Sequence, residues 1–550
     1  MNYISNELYM KDALGRVLPM NCERREGRFV GMFYFLWCGE HSADLRPLDV
    51  TKLLASDPKA GYHGDSPAWG AYGTMHHWGE PLYGYYKSSD EWVMRRHIKL
   101  LTDADVDFLV LDTTNAVTYE NSARMLLRLL SEYRASGFNT PKVVFYTNTA
   151  SGETAQKIYE AFYKTNFCSD SWFYVDGKPI IIAKADECSP EVREFFTIRA
   201  SQWPNEATKR GGWPWMDFVR PQRVLENDNG EREIINVSVA QHPQLRFGDS
   251  AMYGEDGNCG RSYHDGHNDL SEGAYKYGYN FAEQWERALE CDPPYVFVTG
   301  WNEWIAGRWG GVPERPLMFV DCCDLEYSRD IEPMRGGYED NYYSQLISYI
   351  RKYKGSAPSV TARTGDTVEY KNYPAGAFRR SAQGYDTSYT DHSGRNEISK
   401  VTMRDDGESI IVGVQTFSDI VRYDYHSDWM KLFMSVEGTD KPSACGYNYI
   451  ANVYQFTDKL TSIAVCTENS RTIEPDTFKI FGQLEMSFEG RSFEMKIPKA
   501  LLGLDGRAHY TIYFKLADSR REITRVSDFY SAGDCAPLGR GSYVFRYSAE

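Results

Sequence analysis

No apolar run in this 550-residue sequence approaches the ~18 residues a membrane helix needs. No Cys-x-x-Cys pair is present either. The 11 cysteines are scattered from Cys22 to Cys535, and the adjacent Cys322 and Cys323 suit neither a common disulfide nor a zinc site. Reduced, mostly buried thiols are expected, with no metal and no other cofactor. Positive charge is in deficit: 61 Lys and Arg against 77 Asp and Glu leave a net charge of −16. Such a surface repels phosphate backbones and acidic membranes, so neither a nucleic-acid nor a membrane partner is expected. Residues 1–17 carry no apolar core of a secretion signal, and a cytoplasmic protein is the expectation. Repeats and low-complexity tracts are absent, and nothing specifies an oligomeric state. With 42% hydrophobic and 25% charged residues, the composition is that of a globular chain of two or three domains.

Aromatic residues are abundant: 40 Tyr, 27 Phe and 13 Trp. Many belong to cores, but rings also stack on the C–H faces of sugars, and the excess tilts toward carbohydrate. Eight near-continuous apolar runs lie between residues 29 and 355: 30–37, 107–112, 142–148, 178–185, 195–201, 235–241, 295–301 and 317–321. Runs of this kind suit parallel strands covered on both faces. Helical periodicity separates several of them. Asp90 is placed to cap a helix through Leu101, and others are predicted over 123–133, 154–163, 281–289 and 341–353. No Gly-x-Gly-x-x-Gly follows the first run, which argues against a dinucleotide fold. The fold class read is α/β, a (β/α)8 TIM barrel over residues 29–355 after an N-terminal arm of residues 1–28. Past residue 355 the pattern turns to short alternating strands and tight turns, read as an all-β sandwich over 356–550.

Barrel chemistry sits at the C-terminal ends of the strands. Those positions supply Trp37, Asp112, Asn148, Gln202, Trp203, Gln241, His242, Trp301, Asn302, Glu303 and Trp304. Polar groups and indoles without metal-ligand spacing suit sugar hydroxyls, so an oligosaccharide is the expected partner. Glu303, delivered between two tryptophans, is the expected general acid/base, because apolar neighbours raise a carboxyl pKa. Asp112 is the expected second carboxylate, with Glu80, Asp249 and Glu255 as rivals. The stretch 75–86 is the densest in aromatics and offers His77, Trp78 and Tyr85 as a pocket wall. Arg261 and Arg308 are placed to bind an acidic group on a sugar, or else to pair locally. His264 and His267 are three apart among acids, but no further ligand cluster joins them.

Residues 29–355 resemble glycoside hydrolase families 99 and 71, the endo-α-mannosidase-like and α-glucanase-like barrels. The resemblance is carried by FYFLW in the first run, by the stretch from His76 to Asp112, and by Gly300-Trp301-Asn302-Glu303-Trp304. In family 99 the last motif continues to a second Glu that acts as general acid/base. Here that position is Ala306, which transfers no proton. The resemblance implies a glycoside hydrolase acting on α-linked sugars. The aromatic rim and the expected compartment suggest exo action on small glycans. The alternatives are a non-catalytic carbohydrate-binding protein on the same barrel, or a carbohydrate lyase or transferase. The C-terminal region resembles family 9-type carbohydrate-binding and DOMON-like sandwiches through 428–437, 446–453 and 527–547.

Overall fold

Most of the apolar runs become parallel strands, because each is covered on both faces. The computed structural model describes all residues except 42–46, 244–250, 254–256, 320–322, 375–378, 386, 423–427 and 475. Asp249, Glu255 and Cys322 lie outside the described residues. The chain divides into two units. One is Arg25–Lys354 with Ala382–Tyr389, and the other is Met1–Arg24, Gly355–Ser381 and Thr390–Glu550.

The first unit is mixed α/β around a nearly closed, barrel-like sheet. Its nine strands are β1 (Phe29–Tyr34), β2 (Phe108–Thr113), β3 (Lys142–Thr147), β4 (Lys178–Ala183), β5 (Thr197–Gln202), β6 (Gly212–Pro214), β7 (Val224–Glu226), β8 (Arg232–Ser238) and β9 (Tyr295–Thr299). Their order is β6-β5-β4-β3-β2-β1-β9-β8-β7, with the short strand Tyr174–Val175 also pairing β4. Every neighbour on this path is parallel except β7 and β8. Asn236 of β8 donates to the Trp215 carbonyl just past β6 at 3.0 Å, which narrows the remaining gap.

Helices α1 (Glu91–Asp103), α2 (Glu120–Ala135), α3 (Ser151–Ile158) and α4 (Pro190–Phe195) follow β1 to β4 in turn. α5 (Tyr279–Cys291) precedes β9 and α6 (Asn341–Lys354) follows it. Asp90 caps α1 by accepting from the Val93 N–H. Among the described residues no helix lies between β5 and β8. Strict β/α alternation therefore fails on that side. The run 317–321 also departs from expectation: its strand, Arg315–Phe319, belongs to a separate sheet with Leu48–Asp49, Met75–His77 and Ile305–Val312. β9 pairs directly with β1, so no strand takes the barrel position expected of it; the strand Gly212–Pro214, too short to show periodicity, adds instead beside β5.

The barrel interior is filled by Phe33, Phe108, Tyr146, Ile182, Trp213 and Phe297, among others. Gly31 is glycine because the Phe108 ring lies where its Cβ would be, 2.2 Å from the nearest ring carbon. At the base, the buried Lys354 at the end of α6 pairs with Asp107 at 2.6 Å. Asp107 also accepts from the Val30 N–H at 2.7 Å, so helix, loop and strand meet at one carboxylate.

The second unit is a fourteen-stranded, mainly antiparallel sheet folded around one core that includes Met403, Val412, Leu432, Met495 and Phe514. Residues 1–24 are grouped with this unit. Asn2–Ile4 pairs with Thr367–Lys371, and Leu8–Tyr9 pairs with Ser542–Ser548. Trp429 is buried there between Phe488 and Phe493, with its indole N–H on the Val421 carbonyl at 2.9 Å. No described helix in either unit is long and apolar enough to cross a membrane.

Candidate functional site

The segment that leaves β9 is sutured on both sides. Trp301 N donates to the Phe33 carbonyl at 2.9 Å, and Gly300 N donates to the Arg329 carbonyl at 2.9 Å. The Asn302 side chain clamps one residue: its Oδ1 accepts from Phe35 N at 2.9 Å and its Nδ2 donates to Phe35 O at 3.0 Å. Asn302 thus extends the ladder past the end of β1 rather than facing a ligand. Asn302→Ala is expected to cost about 2–4 kcal/mol, since two buried backbone groups lose their partner. Urea unfolding measures this, and a loss under about 1 kcal/mol would mean that Phe35 finds other partners.

These sutures set Glu303 at the C-terminal end of the barrel-like sheet. Its backbone N–H donates to Asp330 Oδ1 at 2.5 Å, and its carbonyl accepts from Trp78 Nε1 at 3.1 Å. Its carboxylate Oε2 meets Arg329 Nη2 at 2.7 Å, with the two side chains only 4% and 2% exposed. The expectation of a carboxyl among apolar groups alone is therefore incomplete, because a guanidinium is bonded to it. Asp330 also takes the Trp78 indole N–H at 2.9 Å, and burial pushes its carboxyl up to about 6.

Trp78, Trp301 and Trp304 were expected to offer sugar-stacking faces, but all three are 0% exposed. Trp78 and Trp304 stack on each other at 4.4 Å. Trp304 Nε1 donates to Glu332 Oε2 at 2.5 Å, and Trp301 packs on His97 and Tyr343. Glu332 belongs to a fully buried network: Tyr86 donates to it at 2.7 Å, His97 Nε2 lies 2.9 Å away, and Tyr34 OH lies 2.9 Å from His97 Nδ1. These tryptophans form the floor under Glu303.

Two half-buried rings, Trp37 and Trp203, lie at the ends of a chain whose other members, Phe35, Phe33 and Trp215, are buried. A chain of rings runs from Trp37 through Phe35 and Phe33 to Trp215, with Trp203 edge-on to Trp215 at 5.5 Å. Arg329 stands over the Trp215 ring at 5.1 Å, so this chain ends at the Glu303 ion pair. The indole N–H groups of Trp37, Trp203 and Trp215 have no acceptor among the described residues. His242, just past β8, lies by Arg329 and the Tyr327 backbone; burial first, then Arg329, lowers its pKa to about 3.

The other candidates fall outside this group. Glu80 pairs with Lys52 and, at 3.4 Å, with Arg335. Lys52 also donates to Tyr85 at 2.7 Å, and Tyr85 donates to Asp49 at 2.8 Å. His77 packs between the edges of Tyr85 and Tyr385, and burial lowers its pKa to about 3. Asp112 is the next-to-last residue of β2 and accepts from Thr114 N at 3.0 Å. Asn148 accepts from Ser201 at 3.1 Å. Gln202 is buried and satisfied by the Trp203 and Ala207 carbonyls and by Lys209 N. Gln241 donates to the Asp217 carbonyl and accepts from Arg220 at 2.5 Å.

The acidic-sugar role expected of Arg261 and Arg308 does not fit their placement. Arg261 is 0% exposed, bonded to Ser328 and the Asp330 carbonyl, and packed on Tyr338 and Tyr342. Arg308 donates to the Gly64 and Gly70 carbonyls beneath Tyr72. Both cations are used locally. His264 and His267 face each other across a two-residue hairpin, and no group of three metal-ligating side chains occurs among the described residues.

Sequence reasoning missed Arg329, Asp330, Glu332 and Trp215. Trp215 had a signal, the dense Gly212-Trp213-Pro214-Trp215 cluster. The segment 328–332 had none, because its charged residues carry no periodicity or motif.

No family model and no curated protein matches the chain. Among solved structures it is similar to the GH99 endo-alpha-mannosidase from Bacteriodes thetaiotaomicron in complex with BIS-TRIS-Propane. The identity is 15% and the TM-score 0.35, over 59% of this chain and 97% of that one.

Proposed function

We propose that the α/β unit is a glycoside hydrolase and that Glu303 is its catalytic acid/base carboxylate. The observation that carries this reading is the Glu303–Arg329 pair at the C-terminal end of β9, abutting a chain of rings whose three indole N–H donors lack acceptors. Sugar hydroxyls are such acceptors, and sugar C–H faces pack on the rings. Trp37 and Trp203, both half-buried, are the proposed sugar contacts, with the buried Trp215 and His242 behind them. Asp112 is the proposed second carboxylate: it is the next-to-last residue of a barrel strand, whereas Glu80 is bound to Lys52 and Arg335.

The unit is read as a (β/α)8 barrel with a helix-poor side, and the chain as acting in the cytoplasm. α-Linked small glycans cut from an end are the proposed substrates. They are neutral ones, given how Arg261 and Arg308 are engaged. The second unit is proposed as a carbohydrate-binding-type sandwich, with Trp429 serving its core.

Ala306 favours a second reading, a binding protein without turnover, because it is buried in the strand Ile305–Val312 opposite His76 and offers no proton. The test is product release from a panel of α- and β-linked oligosaccharides, neutral and acidic, comparing wild type with Glu303→Gln. Release by wild type and its loss in the variant supports the hydrolase. No release, with a glycan raising the melting temperature of both proteins, supports the binding protein.

A further inference from the structure

We propose that Arg329 is the positioning residue of this site: it fixes where the Glu303 carboxylate stands and pairs its charge. As a role in catalysis this rests on the hydrolase reading; the charge pattern behind it does not.

The geometry is specific. The Arg329 guanidinium has Glu303 at 2.7 Å on Nη2, the Met216 sulfur 3.8 Å from Nη1, and the Trp215 ring 5.1 Å away. Its backbone carbonyl accepts from Gly300 N, so the residue is also tied to the turn that delivers Glu303. A guanidinium held on several sides offers one orientation to the carboxylate, which a flexible ammonium does not.

Several described groups face the pair. Asp330 takes the Glu303 backbone N–H, and Trp78 bonds its carbonyl. His242 faces Arg329 and the Tyr327 backbone, and Asp330 also feels Arg261 and Arg329. Arg329 thus acts on three titratable neighbours, Glu303, His242 and Asp330, in the same sense. A proton added to Glu303 breaks its ion pair, and a proton added to His242 brings a second positive charge against the first.

A pair that only braced the fold would leave this pattern untested, so the experiment reads it directly. Four full-length variants are compared: Arg329→Lys, Arg329→Met, Glu303→Gln and Arg329→Met with Glu303→Gln. The double variant avoids leaving a buried carboxylate unpaired, so it keeps the test alive if Arg329→Met alone does not fold. The first readout is the His242 imidazole signal by NMR from pH 7 down to 2.5, a range that brackets its lowered value of about 3. Between Glu303→Gln and the double variant only the cation changes, and the proton affinity of His242 is expected to rise roughly tenfold, about one pH unit. Equal affinities in the two would overturn the proposal.

The second readout is rate against pH on whichever glycan wild type cleaves. Arg329→Lys keeps the charge without the fixed planar fork and is expected to lose about tenfold in kcat, whereas Arg329→Met loses about a hundredfold or more, each with little change in KM. Unchanged kcat and pH profile in Arg329→Met would overturn the positioning role. If wild type cleaves no glycan, the hydrolase reading fails, and the His242 titration still decides the charge pattern.

Discussion

Glu303→Gln is expected to lower product release by about a hundredfold or more and, in the same protein, to lower stability by about 3–5 kcal/mol. Both losses come from one atom pair. The carboxylate is the proposed acid/base, and an amide at that position transfers no proton. The amide also leaves Arg329 buried against a neutral partner, with its side chain 2% exposed. Glutamine has nearly the same volume, so no cavity term enters. Urea unfolding and product release, measured on one preparation below its melting transition, check the two parts separately. Activity within tenfold of wild type would remove Glu303 from the chemistry. An unchanged unfolding midpoint would show that the arginine finds water or another acceptor.

Acid should weaken the α/β unit through its buried histidines. His76, His77 and His242 are all buried, and their pKa values are lowered, chiefly by burial, to about 4, 3 and 3. In the unfolded chain each titrates near 6.5. The unfolded state therefore binds more protons between about pH 6.5 and 4, so this contribution is complete above pH 6.5 and is lost as pH falls. Each histidine accounts for about 1.4 kcal/mol per pH unit in that window, or roughly 3 kcal/mol by pH 4. Asp330 works in the opposite sense. Its folded pKa of about 6 lies above the unfolded value, so its contribution grows as pH falls through 6. Other buried acids raised by burial, such as Asp107 and Asp324, add to that opposition.

The clean measurement is thus a difference. His77→Gln and His242→Gln, each compared with wild type, should show a stability–pH slope smaller by about 1.4 kcal/mol per unit between pH 6 and 4.5. Parallel slopes would show that these imidazoles take up protons in the folded state.

The barrel strands were legible because their burial is two-sided. The runs around Val30, Leu109, Val144, Ile181, Ile235 and Val296 are apolar without alternation, and each is a strand of the sheet. The helix capped by Asp90 was legible for a local reason, a side-chain oxygen one residue before an amphipathic stretch. Leu317–Phe319 looked the same and went elsewhere, because a covered hairpin strand and a barrel strand bury alike. Gly212–Pro214 was invisible: three residues, two of them turn formers, carry no period.

In the site, Glu303 was readable from its place at the end of a run. Its partner was not. Arg329 is brought to it by a segment past a separate sheet, and that distance lies in the fold, not in any spacing along the chain. Trp78 and Trp304 misled because an indole beside a catalytic motif reads the same whether it faces the ligand or props the floor.

The pairing of Asn2–Ile4 with Thr367–Lys371 has a consequence in time. At about 5–20 residues per second, a strand leaving the ribosome waits roughly 20–70 s for a partner roughly 365 residues behind it. The whole segment Arg25–Lys354 is synthesised in that interval. The first β-strand of the chain thus waits through the synthesis of a whole unit, yet its pair with Thr367–Lys371 is among the first its sheet can form, because most other strands of that sheet lie later in the chain. Until then it is an unpaired edge, and a chaperone that shields such edges would meet it early.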